Sequence, residues 1–132
     1  MRQTGLVRKQ HHFWPGERGL DAWDVDRLIQ LSGGLQVREL PLDAIKDVDS
    51  DYWFDGSIEV ATVRKVVEQM RYVQEVDPTY PIILGAHGRV MDGMHRVALA
   101  LLDGRTTVLA VQFEAQPEPD YRDCRPADLP YD

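Results

Sequence analysis

The chain has a single cysteine, no long apolar run and fewer basic than acidic residues. The one cysteine, Cys124, excludes an internal disulfide and a cysteine-rich zinc site, and its proline-rich surroundings favour an incidental thiol. No stretch approaches the roughly 20 apolar residues that cross a bilayer. The charged N-terminus is not followed by an apolar run either, so we expect no membrane span, no secretory signal and a cytoplasmic protein.

The shortage of basic residues bears on the partners of this protein. Lysine and arginine number 15 against 22 aspartate and glutamate residues, which gives a formal net charge of −7. Because non-specific nucleic-acid binding depends on clustered Lys and Arg, nucleic acid is disfavoured as a partner. A small anionic ligand stays compatible with this charge, since one local site can be positive. The 132 residues, 43% of them hydrophobic, have the size and composition of one ordinary globular domain.

Patterns in the first half of the chain predict one helix, one strand and a loop. Asp21 is a candidate N-cap for a helix over 21–31, which two glycines would end. Apolar and polar residues alternate over 35–40, and this alternation predicts a half-buried strand. The acidic segment 43–57 predicts a loop that contains at most one short helical turn.

Patterns in the second half predict two helices and three strands. Apolar residues recur at helical spacing after position 62, and we expect all of them in the core: Val63, Val66, Val67, Met70 and Val73. Two short strands over 80–84 and 89–91 are expected to form a hairpin. The apolar stretch 97–102 predicts a helix that is buried on most sides, and 106–113 predicts a final strand.

We expect three parts in the chain. Residues 1–34 form an N-terminal extension with one helix, 35–116 a small α+β domain, and 117–132 a proline-rich acidic tail that runs extended over the surface. The pair His11-His12 in the extension invites a metal interpretation. Adjacent residues of a strand point to opposite faces, however, and no further ligand follows at a suitable spacing, so we expect no metal there.

The segment from Asp92 to Arg96 predicts an anion site, because a strand end, a glycine and a helix start follow one another there. The first N–H groups of a helix lack internal partners, and the helix dipole adds positive charge. Gly93 would let a ligand approach the backbone, and His95 and Arg96 add two donors. A cation at a helix start costs about 0.3–1 kcal/mol, which favours a compensating anion. The alternative left open is that Arg96 pairs with Asp92 or with an acid of the 43–55 loop, and that His95 caps a carbonyl.

The order of these elements, with Gly-x-His-Arg opening a helix between a hairpin and a strand, resembles the ParB/sulfiredoxin superfamily over about residues 35–113. This resemblance implies a small α+β fold with a mixed sheet and flanking helices. ParB proteins carry a Gly-Glu-Arg-Arg type motif and use CTP, whereas this chain has His95 and an acidic charge. Sulfiredoxins have a cysteine where this chain has Met94, so their reductase chemistry is not expected.

Within that superfamily the motif is similar to Asp-Gly-His-His-Arg of the free-serine kinases, with Met94 in place of the middle histidine. The similarity implies a nucleotide, ATP or ADP with Mg²⁺, and a small hydroxylated metabolite as phosphate acceptor. It places the nucleotide on the residues that open the helix: Gly93, Met94, His95 and Arg96.

The same similarity implies the catalytic residues. Asp92 would bind the Mg²⁺, Asp49 would act as the base on the acceptor hydroxyl, and His95 would act on the phosphates. Two other functions stay open. The first is a non-catalytic module that senses a nucleotide or binds a partner, and the second is a DNA-associated ParB-like protein.

Overall fold

Two sheets and three α-helices make up residues 10–54 and 60–130, the part of the chain that the computed structural model describes. The expected α+β fold, with a mixed sheet and flanking helices, is confirmed. Among the helices of these residues, none has both the length and the apolar content to cross a membrane. The elements in chain order are β1 (His11–Pro15), β2 (Leu20–Asp24), α1 (Val25–Leu31), β3 (Arg38–Pro41), α2 (Val63–Glu75), β4 (Ile82–Leu84), β5 (Val90–Asp92), α3 (Met94–Leu102), β6 (Thr107–Gln112) and β7 (Tyr121–Cys124).

The larger sheet carries the main hydrophobic core. Its strand order is β3-β6-β4-β5, in which β4 and β6 are parallel and the other two pairs are antiparallel. Side chains of its central strands alternate between two apolar clusters. Ile82 and Leu84 pack with α3, whereas Ile83 packs on the opposite face with Leu28 of α1. Strands with both faces covered read as continuous apolar runs, which is the pattern of β4.

The second half of the chain matches its predicted elements closely. The three expected strands and the helix that follows Gly93 are confirmed within two residues at each end. The last turn of α3 differs from the expectation, because Leu101 and Leu102 are exposed. Strand β3 lies at the edge of its sheet and is mostly exposed rather than half-buried, since only one neighbouring strand covers it.

Helix α1 begins four residues later than the sequence predicts. Leu20–Asp24 is strand β2, which pairs with β1 on one side and with β7 on the other. Asp24, not Asp21, is the N-cap, and its side chain accepts a hydrogen bond from the Asp26 N–H. The predicted start is wrong because pairing with two distant strands outweighs the local helix signal.

The segment 117–132 forms part of the folded structure, whereas the sequence predicts only an extended tail on the surface. It is extended, but it also supplies β7 to the second, three-stranded sheet β1-β2-β7, and it buries Leu129. The chain's first part likewise contains β1, so the two ends of the chain meet in one sheet. Residues 1–9, 55–59 and 131–132 lie outside the described residues, and so do the parts of the predicted extension, loop and tail that fall on them.

Helix α2 is where the sequence predicts, but only one edge of its apolar face meets the protein body. Of the five apolar residues expected in the core, only Val73 is buried. The other four are exposed by 39% to 82%: Val63, Val66, Val67 and Met70. Their predicted burial is wrong because periodicity identifies an apolar face and not what covers it. The helix instead contacts the body through Gln69 and Tyr72, which both meet His95.

The acidic loop after β3 is more ordered than expected. It contains two 3₁₀ turns, Leu42–Ala44 and Lys46–Asp49, where the sequence predicts at most one helical turn. Leu42 and Ile45 join the core beneath α3. Leu42 begins the first turn and Ile45 separates the two turns, so the core holds both turns in place.

Candidate functional site

Gly93 adopts a left-handed conformation, with a φ of 102°, and it is the N-cap of α3. No side chain caps this helix start. A Cβ atom at Gly93 would lie 2.5 Å from Nη2 of Arg96 and 2.8 Å from Cγ2 of Ile82. The sequence interpretation kept this space for a ligand, whereas the structure fills it with the guanidinium of Arg96. Glycine is therefore required here by the turn and by the arginine beneath it.

Arg96 is buried, with 2% of its surface exposed. Its Nη2 donates to the carbonyl oxygen of Pro81 at 3.1 Å and to Oδ2 of Asp92 at 3.2 Å. The pairing with Asp92, which the sequence left open as the alternative, is thus present. Burial lowers the pKa of Arg96, and the charge of Asp92 opposes this effect.

Two nitrogens of the Arg96 guanidinium are available as further hydrogen-bond donors. Its Nε and Nη1 are buried, and neither has a hydrogen-bond partner within residues 10–54 and 60–130. A buried donor without an acceptor costs about 1–3 kcal/mol. These two nitrogens therefore favour any acceptor that can reach them, and an anion most of all.

A cleft of about 240 Å³ lies beside Arg96. It is formed between α3, strands β3 and β6, and the segment that follows α2. Charged and hydroxyl-bearing side chains line it together with apolar ones, and the polar members are Glu39, Thr79, Arg96, Asp103, Arg105 and Thr107. The volume suits the phosphate end of a larger molecule, whose remainder would lie outside the cleft, because complete ligand pockets occupy about 300–1,000 Å³.

Asp92 ends β5, and its carboxylate is largely occupied by the ion pair with Arg96. The described residues contain no group of three histidine, cysteine, aspartate or glutamate side chains able to hold a metal ion. A guanidinium at 3.2 Å from Asp92 also opposes a second cation there. The residues around Asp92 therefore do not form a protein-held Mg²⁺ site.

His95 is held by three side chains of neighbouring elements. Its Nε2 lies 2.6 Å from Oε1 of Gln69, so that the ring nitrogen donates to the amide oxygen. The imidazole stacks on Trp53 with ring centroids 5.0 Å apart, and it meets the edge of Tyr72 at 5.6 Å. Burial lowers the pKa of His95. A neutral imidazole here joins α2 and the 52–54 turn to the start of α3.

The remaining two predicted site residues point away from the Arg96 cleft. The side chain of Met94 is buried in the core, which leaves only its backbone N–H for a ligand. Asp49 is exposed at the end of the second 3₁₀ turn. The structure thus brings Asp92, Gly93 and Arg96 together, sets His95 against α2, and leaves Asp49 on the surface.

Asp47 is a buried carboxylate that sequence reasoning missed. It is 1% exposed, and its Oδ2 accepts a hydrogen bond of 2.7 Å from the Val90 N–H. Its Oδ1 forms an ion pair with the guanidinium of Arg89. Five aspartates lie in this acidic segment, so no sequence signal marks Asp47 as the buried one.

His12 lies beside Asp47 in an aromatic environment. Its ring is 5.8 Å from that of Trp23 and 6.5 Å from those of Trp14 and Tyr52. Burial lowers the pKa of His12 to about 4, although the charge of Asp47 opposes the shift. These contacts connect the β1-β2-β7 sheet to the 52–54 turn, which is a structural role.

No family model, curated protein or solved structure matches this chain. The resemblance to the ParB/sulfiredoxin superfamily therefore stays a prediction from the sequence motif.

Proposed function

We propose that this chain binds a phosphate-bearing small molecule of the nucleotide class, such as ATP or ADP, at Arg96 and the first turn of α3. The observation that carries the proposal is the buried guanidinium of Arg96, whose Nε and Nη1 have no partner among the described residues. Phosphate oxygens are suited to a guanidinium because the planar fork of N–H groups matches their geometry.

The surroundings of Arg96 support an anion more than a neutral ligand. Arg96 lies in the first turn of α3, where the helix dipole adds partial positive charge, although the cleft itself continues along the helix to Asp103 and Arg105. Arg105 supplies a second cation at the cleft, although Glu39 and Asp103 also line it. The two unpaired nitrogens are fully covered, so an acceptor reaches them only when the cleft wall shifts locally. Ligand binding is therefore expected to be coupled to a small rearrangement.

The contacts of the remaining residues favour binding without phosphate transfer. Transfer requires Asp49, Asp92 and His95 to act around one acceptor hydroxyl. Asp92 is paired with Arg96, His95 with Gln69, and Asp49 is exposed. A nucleotide-sensing or partner-binding module therefore fits this geometry better than a kinase for a small hydroxylated metabolite.

Thermal unfolding with ATP, ADP, CTP, GTP and pyrophosphate, each with and without Mg²⁺, tests the proposal. At a ligand concentration of about 100 times Kd, binding adds about 2.7 kcal/mol, which raises Tm by roughly 5 °C or more. Arg96→Lys keeps the charge but removes the fork, and we expect it to abolish the rise. Lysine can donate to the same two acceptors, Asp92 and Pro81, so this variant is expected to fold.

Arg122→Lys is the matched control. Arg122 also pairs with a carboxylate four residues away, Glu118, but both side chains are exposed and far along the chain from α3. This variant should keep the full rise in Tm. Absence of a rise with every nucleotide and with pyrophosphate at millimolar concentration would contradict the proposal. Consumption of ATP in the presence of a hydroxylated acceptor would instead assign phosphate transfer.

A further inference from the structure

Helix α2 carries an outward apolar strip that we call the valine seam: Val63, Val66, Val67 and Met70. These side chains are 82%, 39%, 46% and 55% exposed, respectively. At about 100° per residue, the four positions fall within an arc of roughly 100° on the helix. The seam is therefore a continuous stripe two turns long and not a set of scattered apolar residues.

The side of α2 that meets the protein body adjoins one edge of the seam, and its centre lies about 120° around the helix from the centre of the seam. Gln69 bonds to His95, Tyr72 packs its ring edge on the same imidazole, and Val73 and Val76 are buried. Amphipathic helices normally turn their apolar face to the core, because burial of apolar surface is what stabilises their packing. Because α2 turns most of its apolar face to solvent, this surface is available for an intermolecular contact.

We propose that the valine seam is a self-association surface, through which two copies of this chain pair by packing their α2 helices antiparallel. A two-fold interface requires a self-complementary patch, in which residue i meets j and j meets i. The seam satisfies this rule at one register. Val66 faces Val67 of the second copy, and Val63 faces Met70 of the second copy, at both ends of the contact.

Charges beside the seam support the same register. Four exposed residues of alternating sign follow one flank of the helix at helical spacing: Arg64, Glu68, Arg71 and Glu75. In an antiparallel pair the same flanks of the two helices adjoin. When Val66 meets Val67 of the second copy, Arg64 comes within one residue, about 1.5 Å along the helix axis, of Glu68 of the second copy. Their long side chains can form an ion pair, and the symmetry creates it twice. The alternating signs also oppose docking on an anionic lipid surface, which attracts rows of Lys and Arg.

The dimer is expected to be weak. Stable interfaces bury about 800 Å² on each partner, and a seam of four partly exposed side chains supplies less. Sedimentation velocity over protein concentrations from about 10 μM to about 1 mM should show the weight-average mass rising from monomer towards dimer. A wild-type chain that stays monomeric throughout this range would overturn the proposal of self-association, even if the seam binds a different partner.

Two variants distinguish association through the valine seam from non-specific hydrophobic association. Val67→Glu places a charge at the centre of the contact, and it should raise the dimer Kd at least about 10-fold. Val37→Glu is the control, because Val37 is 48% exposed against 46% for Val67 but lies just before β3. The control should dimerise like the wild type. Equal effects of the two substitutions would contradict the proposal, and circular dichroism checks that both variants fold.

A charge swap tests the register itself. Arg64→Glu alone should weaken the dimer, since it places two like charges opposite each other. Combining it with Glu68→Arg restores opposite signs and should recover the dimer. The hydrogen bond from Tyr72 to Glu68 is lost in the second variant, but this bond is exposed to solvent. Failure of the double variant to recover association would reject the antiparallel register.

Discussion

Two arginine–carboxylate pairs flank strand β5, and they differ in how completely their polar atoms are partnered. In the first, Asp47 uses both oxygens, accepting from Arg89 and from the Val90 N–H. In the second, Arg96 bonds to Asp92 and Pro81 through Nη2, and its Nε and Nη1 have no partner in the part of the chain that the structure describes. The first pair holds the structure together, whereas the second retains donors for a ligand.

Breaking the Asp47 pair should produce the largest loss of stability. Asp47→Asn removes the charge that compensates Arg89, and we expect a loss of about 3–5 kcal/mol in the free energy of unfolding. Asp49→Asn is the matched control two residues away, and because Asp49 is exposed it should stay within about 0.5 kcal/mol. Urea unfolding measures both. Equal losses in the two variants would contradict the structural role of Asp47.

The pH dependence of stability tests the buried surroundings of Asp47 through its neighbour His12. Burial lowers the pKa of His12 from 6.5 to about 4. Between these values the unfolded chain binds a proton that the folded chain does not, so stability falls as pH falls, by roughly 3 kcal/mol in total. His12→Phe should remove this part of the slope, whereas His87→Gln should leave most of it. An unchanged slope in His12→Phe, measured by urea unfolding from pH 7 to 4, would show that His12 is not buried as described.

Two glycines of similar backbone conformation test how closely Arg96 packs. Gly93 and Gly88 have positive φ values of 102° and 85°, but only a Cβ at Gly93 meets other atoms. Gly88→Ala should cost about 1–2 kcal/mol from the left-handed backbone alone. Gly93→Ala should cost roughly 1–3 kcal/mol more, because the new methyl group displaces the guanidinium. Equal costs would mean that Arg96 does not lie against Gly93.

The sequence predicts the unit from β4 to β6 well because its signals are local and consistent. A strand buried on both faces, a glycine before the helix and an apolar helix each leave their own pattern. The start of α1 is not predicted, since β2 exists only through pairing with β1 and β7, which lie far away in the chain. Long-range pairing of this kind leaves no trace in a short window of sequence.

The candidate site shows the same limit at the level of single residues. The motif predicts that Asp92, Gly93 and Arg96 come together, and the structure brings them together. It does not predict that His95 faces Gln69, nor that the inward carboxylate is Asp47 rather than Asp49. The outward direction of the valine seam belongs with these cases. Periodicity states which residues share a face, and only tertiary contacts decide where that face points.

The most direct test of ligand binding at Arg96 is the side-chain ¹⁵N–¹H NMR spectrum of the arginines during titration with ADP or pyrophosphate. Arg96 has an unpaired Nε–H, whereas the Nε–H of Arg89 is bonded to Asp47 and serves as an internal reference. We predict that the Arg96 Nε–H resonance shifts and saturates while that of Arg89 does not move. An Arg96 resonance that stays in place with millimolar ATP, ADP, CTP, GTP and pyrophosphate, or that moves no more than that of Arg89, would contradict the account.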